Sequence, residues 1–195
     1  MYLDFYNLKE YPFSISCDAR FFYESNVHRE ALANMQYTIE QRKGMVLVTG
    51  EIGAGKTFLG NMLASRLGVG ATTVVIGHPP RSSKQLLRAV AVRSGLTVHK
   101  TDDVSFLADA LEEHLERAHR RGRTVALILD EAQDLTPNAL EELRLMWNWE
   151  RQGQRLLQIV LIAQPELRDL LLEPRWEALR QRIVLSYHLG PLSAE

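Results

Sequence analysis

The chain has 195 residues, enough for one ordinary domain whose interior can fold without a disulfide or a metal. Hydrophobic residues make up 46% and charged residues 24%, a composition that excludes disordered, fibrous and collagen-like chains. With 23 Lys and Arg against 24 Asp and Glu, the net charge of -1 gives no overall attraction to nucleic acid or anionic lipid.

The cysteine, histidine and hydropathy patterns further restrict the class of protein to which this chain can belong. The only cysteine, Cys17, cannot form an internal disulfide, and the six histidines never fall at a zinc-ligand spacing. No apolar run reaches the roughly 18 residues that are needed to cross a bilayer. We therefore expect a protein of the reducing cytoplasm.

Residues 1–44 are predicted to form an aromatic segment followed by a helix, both packed on the rest of the domain. Most of the Phe and Tyr residues precede residue 24, around Pro12 and with no clear period, which indicates an irregular segment. A helix is predicted from Ser25, as its N-cap, to near Gly44. Its apolar face consists of residues at helical spacing, namely Val27, Ala31, Met35 and Ile39.

Five short apolar or β-branched runs follow, separated by helical patterns. The runs are typical of buried parallel strands and cover residues 45–49, 72–76, 125–129, 157–163 and 183–189. Helical spacing of apolar residues covers 58–67, 86–92, 104–115 and 140–147. The alternation predicts an α/β fold in which a doubly wound, mostly parallel five-stranded sheet lies between helices, with residues 45–195 as the core of one domain.

A phosphate loop lies between the first predicted strand and the helix after it. Its pattern G-x-x-x-x-G-K-[ST] is formed by Gly50, Glu51, Ile52, Gly53, Ala54, Gly55, Lys56 and Thr57, and Phe58 follows within the predicted nucleotide contact. Such glycines let backbone N–H groups and the helix N-terminus face phosphates. Lys56 would reach the terminal phosphates and Thr57 would bind Mg²⁺, so we predict Mg-ATP as the ligand. The alternative is a chance glycine-rich turn, which the flanking strand and helix argue against.

Two carboxylates, Asp130 and Glu131, end the third predicted strand, at the sheet edge where open α/β sheets bind ligands. Asp130 would hold a water of the magnesium shell, and Glu131 would orient and deprotonate the water that attacks the γ-phosphate. Acids at strand ends also serve as simple turn formers. The phosphate loop upstream favours the catalytic interpretation.

Three polar residues lie near the last two predicted strands. Gln164 follows residues 157–163, where its amide could contact the γ-phosphate or the attacking water, although a strand-end cap explains the spacing equally well. Arg180 and Arg182 precede the last strand, where an arginine could stabilise phosphate charge in a neighbouring subunit. By spacing alone, solvated surface arginines are the simpler interpretation.

The chain resembles the general secretion pathway protein A family of AAA+ ATPases, which includes ATPases encoded beside polysaccharide export and exosortase systems. The resemblance covers nearly the whole chain. Its segments are YLDF at 2–5, PFS at 12–14, HREAL at 28–32, VTGEIGAGKT at 48–57, LDEAQDL at 129–135, EELR at 141–144, QPELR at 164–168, LRQRI at 179–183 and YHLGPL at 187–192.

This resemblance implies ATP hydrolysis in the assembly of a secretion or cell-surface export system, such as type II secretion. It implies that the aromatic segment walls the adenine, that Gln164 is the first sensor and that Arg182, or else Arg180, is the finger for a neighbour's nucleotide. It also implies a homo-oligomer, or a hetero-oligomer with a secretion-system partner. Nucleic acid is not an expected partner.

Related ATPases continue into a small helical lid, and the secretion members then have a membrane span and a cell-wall-binding part. We expect such regions to lie outside this sequence, so that it corresponds to the core. Three features depart from the usual family pattern: Asp134 stands in place of Asn, Phe58 in place of a second Thr, and Trp147 and Trp149 enlarge the end of a helix.

Four other interpretations are open. A small-molecule P-loop kinase fits the length but rarely carries the Asp-Glu pair, and a GTPase would need an Asn-Lys-x-Asp motif that the chain lacks. A DNA-associated ATPase is suggested by a basic cluster, although a solvated helix end with acids before it also explains these residues: Arg117, Arg120, Arg121 and Arg123. The fourth is a nucleotide-gated scaffold with slow turnover.

Overall fold

The computed structural model describes residues 2–9, 11 and 25–190. Its helices are α1 Tyr2–Phe5, α2 Asn26–Glu40, α3 Lys56–Leu67, α4 Ser83–Arg93, α5 Val104–Arg120, α6 Pro137–Trp147, α7 Pro165–Leu170 and α8 Glu177–Arg180. Its strands are β1 Met45–Gly50, β2 Ala71–Ile76, β3 Thr124–Leu129, β4 Glu150–Arg151, β5 Gln154–Arg155, β6 Leu157–Ala163 and β7 Ile183–Leu189. All five predicted strands and the helices between them are confirmed.

The main sheet has five strands in the order β2-β3-β6-β1-β7, and every neighbouring pair is parallel. This confirms the predicted α/β class with a parallel five-stranded sheet. Because all the strands run the same way, their carboxyl ends share one edge of the sheet, where β1, β3 and β6 deliver the residues that follow them. The short β4 and β5 form a separate antiparallel hairpin that the sequence did not predict.

Helices cover both faces of the sheet, so the protein has two apolar cores. Along β1, Met45 and Leu47 face the core formed with α4, α5 and α6, whereas Val46 and Val48 face the core formed with α2 and α3. This alternation is the two-residue period of a strand that is buried on both sides. The central strand is therefore fixed from both faces, and the loop that follows it starts from a rigid position.

The edge strands differ from the prediction of fully buried strands. In β2 and β7, buried or half-buried residues are interspersed with exposed ones such as Val75 and Val184. Among the described residues each of these strands pairs with one neighbouring strand only, and its exposed positions show that helices cover it incompletely. Apolar runs predicted both strands correctly but could not distinguish an edge from the centre.

At the N-terminal end, the structure describes only part of the predicted aromatic segment, and residues 12–24 lie outside the described residues. In α1 and just after it, the side chains of Tyr2, Phe5 and Tyr6 are exposed, and the Tyr6 ring contacts each of the other two edge-on. The predicted N-cap of α2 is confirmed, because the Ser25 hydroxyl accepts a hydrogen bond from the His28 backbone N–H at 3.4 Å. None of the described helices is long and apolar enough to span a membrane.

Candidate active site

The phosphate loop joins the buried end of β1 to the first turn of α3. Gly53 and Gly55 have φ of 84° and 79°, in the left-handed region that glycine enters without steric cost. Gly50 lies under the end of β7, where a Cβ would come within 2.6 Å of the Leu189 carbonyl oxygen. The two glycines that the motif requires therefore have separate local reasons, a close backbone approach at Gly50 and a positive φ at Gly55, and Gly53 adds a second positive φ.

Lys56 is held inside the loop. Its side chain is buried, and its Nζ donates to the backbone oxygen of Glu51 at 2.8 Å. The Ala54 N–H donates to the same oxygen at 3.1 Å, which closes the turn. The ammonium is therefore already directed across the loop, beside the backbone N–H groups that begin α3.

Asp130 and Glu131 follow β3, as predicted. Asp130 is buried, with 7% of its surface exposed, and its Oδ1 accepts from the Glu131 N–H at 2.9 Å. Glu131 has a φ of 52°, which is uncommon for a residue with a side chain and costs energy that the surrounding structure must offset. Such outliers cluster at functional sites, and here the turn redirects the chain at the end of the strand.

Gln133 connects the acidic pair to Gln164. Its Nε2 donates to Glu131 Oε2 at 2.6 Å, and its Oε1 accepts from the Gln164 backbone N–H at 3.0 Å. Strand β6 lies between β1 and β3, so Gln164 at its end stands between the phosphate loop and the acids. Gln164 is also the N-cap of α7, but within the described residues its side chain makes no capping hydrogen bond. The alternative interpretation, in which the Gln164 amide only caps the end of the strand, is therefore not supported by a capping hydrogen bond.

A cavity of about 290 Å³ brings most of the predicted site residues together. It is lined by Ile52, Gly53, Gly55, Lys56, Thr57, Phe58, Glu131 and Gln164. Gly50, Glu51 and Ala54 belong to the same loop, and Asp130 precedes Glu131. The predicted loop, base and sensor therefore meet in one place, although their roles remain predictions.

The donor set around this cavity suits a magnesium ion. Mg²⁺ takes oxygen ligands and keeps several of its waters, so it needs few protein groups. The Thr57 hydroxyl in the first turn of α3 and the buried Asp130 carboxylate at the end of β3 are oxygen donors of this kind. These two residues would hold the ion.

Arg182 lies at the other end of the sheet from the phosphate loop. It directly precedes Ile183, which pairs with Met45 at the start of β1, whereas Gly50 pairs with Leu189 at the far end. Its Nη2 donates to Asn148 Oδ1 at 3.3 Å, and its guanidinium stands 5.2 Å from the ring centre of Trp147.

The two candidate finger arginines differ in their partners. Arg180 Nη2 forms an ion pair with Glu177 Oε2 at 2.5 Å. Arg182 makes no ion pair within the described part of the chain, and burial, followed by repulsion from Arg144 and Arg155, lowers its pKa. Within the described residues Arg182 is thus attracted by the Glu141 carboxylate without forming an ion pair, whereas Arg180 is paired with a carboxylate of its own helix.

Two residues with direct contacts to the site were not among the predicted site residues. Gln133 lies two positions after Glu131, so its closeness to the acids was a signal in the sequence. His28 is buried, and its Nε2 lies 3.1 Å from the Ala54 carbonyl oxygen of the phosphate loop. It stands 26 positions earlier on α2, and no spacing rule connects the two.

A phosphate loop at the centre of a parallel α/β sheet, with an Asp-Glu pair on a nearby strand, defines a P-loop nucleoside triphosphatase. The chain matches the AAA domain family over residues 39–171. It is 40% identical over 193 residues to General secretion pathway protein A of Aeromonas hydrophila, a match that covers 99% of this chain and 35% of that protein.

Solved structures share the fold at low sequence identity. CDC6P from Pyrobaculum aerophilum aligns with a TM-score of 0.72 at 17% identity, over 93% of this chain and 49% of that one. The Aeropyrum pernix ORC2 protein aligns with a TM-score of 0.70 at 17% identity, over 89% and 50% of the two chains. The chain belongs to the AAA domain family, within the AAA+ P-loop ATPases.

Proposed function

We propose that this chain is the core of an AAA+ ATPase that binds Mg-ATP and hydrolyses it. The observation that carries the proposal is the single cavity lined by the phosphate loop, Glu131 and Gln164. A site for binding alone needs the loop and the lysine. The carboxylate and amide on the opposite wall are the groups that hydrolysis requires in addition, because they can act on the attacking water.

Each residue has a separate task in the proposed reaction. The loop N–H groups and Lys56 bind the phosphates, and Lys56 exchanges its bond to the Glu51 oxygen for one to the nucleotide. Thr57 and Asp130 would hold a magnesium ion, which would supply positive charge to offset the negative charge that develops on the phosphates. Glu131 takes the proton of the attacking water, and the Gln164 amide donates to the γ-phosphate or to that water.

Two substitutions test binding and chemistry separately. Lys56→Ala should weaken ATP binding at least tenfold, because a buried charge-assisted contact is lost. Glu131→Gln keeps the side-chain shape but cannot accept the proton, so turnover should fall by 10²-fold or more while ATP stays bound. Nucleotide affinity measured by calorimetry and phosphate release measured at saturating Mg-ATP report the two effects.

The opposite results would redirect the proposal. Unchanged turnover in Glu131→Gln would show that the carboxylate only forms the turn, as expected for a nucleotide-gated scaffold. Transfer of the γ-phosphate to a metabolite, with no free phosphate, would indicate the small-molecule kinase.

For the biological role, we infer that the ATPase drives or regulates the assembly of a secretion or cell-surface export system. The support is its likeness to General secretion pathway protein A, of whose length the chain spans 35%. Deletion of the gene in its host, with export of envelope proteins and polysaccharide as the readout, tests this role. Normal export would contradict it.

The DNA-associated alternative has less support from the proposed basic cluster. Arg117 pairs with Glu113 at 2.6 Å, and Arg120 pairs with Glu116 at 2.7 Å. Charges neutralised in this way attract phosphate less strongly. Salt-sensitive DNA binding that is lost when Arg121 and Arg123 are replaced would restore the alternative.

A further inference from the structure

We propose that His28 is a positioning residue of the ATP site, which orients one peptide of the phosphate loop from behind. The inference rests on the proposed function, because it concerns how the same loop binds phosphate. The Nε2–H of His28 holds the carbonyl of Ala54 on the outer side of the phosphate loop. This directs the N–H of Gly55 toward the inner side, where phosphate would bind.

The contact is built at the start of α2, which packs against α3. His28 is 4% exposed, and its Nε2 lies 3.1 Å from the Ala54 oxygen. On the other side of the ring, Nδ1 lies 2.7 Å from the Ser25 hydroxyl. Both ring nitrogens therefore have partners in one chain of contacts that runs from the helix cap to the phosphate loop.

The partners define the tautomer. A carbonyl oxygen can only accept, so Nε2 must carry a hydrogen. The Ser25 oxygen already accepts the backbone N–H of His28 at 3.4 Å, and its own hydrogen is free to point at Nδ1. An imidazole with its hydrogen on Nε2 satisfies all three contacts, and the N-cap serine thereby also sets the orientation of the ring.

Because the peptide bond is planar, the contact with the Ala54 carbonyl also sets the direction of the Gly55 N–H. In a trans peptide the C=O and the following N–H point in opposite directions. A carbonyl of Ala54 that is held toward His28 therefore leaves the N–H of Gly55 pointing toward the side of the loop where phosphate binds. If the peptide between Ala54 and Gly55 rotated, the Ala54 carbonyl oxygen would face the bound phosphate and repel it.

Gly55 shows how closely the ring supports the loop. A Cβ at this position would lie 3.2 Å from His28 Nε2, so the imidazole touches the backbone where α3 begins. With a φ of 79°, Gly55 has the conformational freedom that would allow the peptide before it to rotate. The hydrogen bond from His28 restricts that freedom at the position where orientation affects binding.

Two variants of His28 separate the hydrogen bond from the packing. His28→Leu fills the space without a donor, and His28→Gln keeps an N–H at a comparable distance from the backbone. We expect His28→Leu to raise the Kd for ADP about tenfold or more, as loss of an oriented donor to a charged group implies. His28→Gln should stay within about threefold of the wild type.

A second pair of variants tests the role of the serine. Ser25→Ala removes the N-cap and the contact to Nδ1, whereas Ser82→Ala removes the equivalent N-cap of α4, where the hydroxyl accepts from Gln85 N–H. Both should lower thermal stability similarly. Only Ser25→Ala should also weaken ADP binding, by about threefold to tenfold.

Calorimetric titration with ADP and magnesium, together with the melting temperature of each unliganded protein, gives the result. Wild-type affinity in folded His28→Leu would overturn the inference and leave the ATPase proposal intact, as would a loss of affinity equal in the Leu and Gln variants. A wild-type protein that binds neither ADP nor ATP would overturn both. If His28→Leu fails to fold, the Gln variant and the serine pair still decide.

Discussion

At the scale of single residues, the two principal charges of the site already have partners inside it. Lys56 donates to the Glu51 oxygen, and Glu131 accepts from Gln133. These contacts keep each side chain near its working position, which reduces the ordering that binding must impose. They also mean that each proposed step exchanges one hydrogen bond for another.

Gln133 provides the first test at this scale. If its amide orients Glu131 as the base, Gln133→Ala should lower kcat about tenfold and leave the affinity for ATP within about threefold. Gln133→Glu has the same shape but adds a carboxylate beside Glu131, so its kcat should fall further. Steady-state phosphate release gives the comparison, and a higher kcat in Gln133→Ala would mean that Gln133 restrains the base instead.

At the scale of elements, α6 carries adjacent acids in opposite environments. Burial raises the pKa of Glu142, the nearby Ser83 side chain offsets this only in part, and repulsion from Glu141 raises the pKa further. The hydrogen bonds from Arg144 lower the pKa of the more exposed Glu141. Ionised Glu142 therefore destabilises the fold, whereas ionised Glu141 stabilises it.

The contributions of Glu142 and Glu141 to thermal stability should depend on pH in opposite directions. A raised folded pKa means that stability is lost as pH rises, so Glu142→Gln should raise the melting temperature at pH 7.5 and have less effect near pH 4. A lowered folded pKa means that stability is lost as pH falls, so Glu141→Gln should lower the melting temperature at pH 7.5 and approach the wild type near pH 4. Thermal unfolding at several pH values checks both signs, and shifts of the same sign would refute the assignment.

The elements also show how far the sequence could predict the structure. Strands β1, β3 and β6 were predictable because they are buried on both faces and therefore mostly apolar, and α6 because Thr136 and Pro137 mark its start. The order of the strands was not predictable, since it depends on how helices cross the sheet. That order places Gln164 between the loop and the acids.

The candidate site was predictable to the extent that it is local in sequence. The phosphate loop and Asp130-Glu131 each lie on one continuous segment next to a strand. His28 could not be assigned its contact with Ala54, because that contact depends on the packing of α2 behind the loop. The finger role of Arg182 remains a prediction, because it requires a second subunit.

At the scale of the whole molecule, the sheet separates the nucleotide site from Arg182. The six residues of β1 span about 20 Å, so Arg182 cannot reach the phosphate loop of its own chain. If Arg182 contacts a nucleotide at such a loop, that loop must belong to a neighbouring subunit. The Arg182 guanidinium makes no ion pair within the described residues, but it already donates to Asn148 Oδ1 and to the Ala178 carbonyl oxygen, so a contact with a neighbour would exchange these hydrogen bonds.

Mixing two defective variants tests this arrangement. Lys56→Ala retains the arginine but has a damaged site, and Arg182→Ala retains the site but has no arginine. Each alone should be nearly inactive, whereas a mixture should recover turnover, because intact sites would meet intact arginines.

Arg180→Ala is the matched control and should have the wild-type rate per chain at every protein concentration. Absence of recovery in the mixture, at concentrations where the wild-type rate per chain has reached its plateau, would remove Arg182 as the finger.

The position of Arg182 at the end of the sheet opposite the phosphate loop also limits the symmetry of any assembly. A twofold dimer brings identical surfaces together, so it joins these two ends only if both lie in one self-complementary patch, where each arginine meets the site of the other subunit. If the two ends lie in separate patches, their contact is heterologous and repeats in one direction, until the subunits close into a ring or extend as a helical filament. Each subunit of such a ring or filament would have two different contact surfaces. ATP bound between two subunits would then contact residues of both.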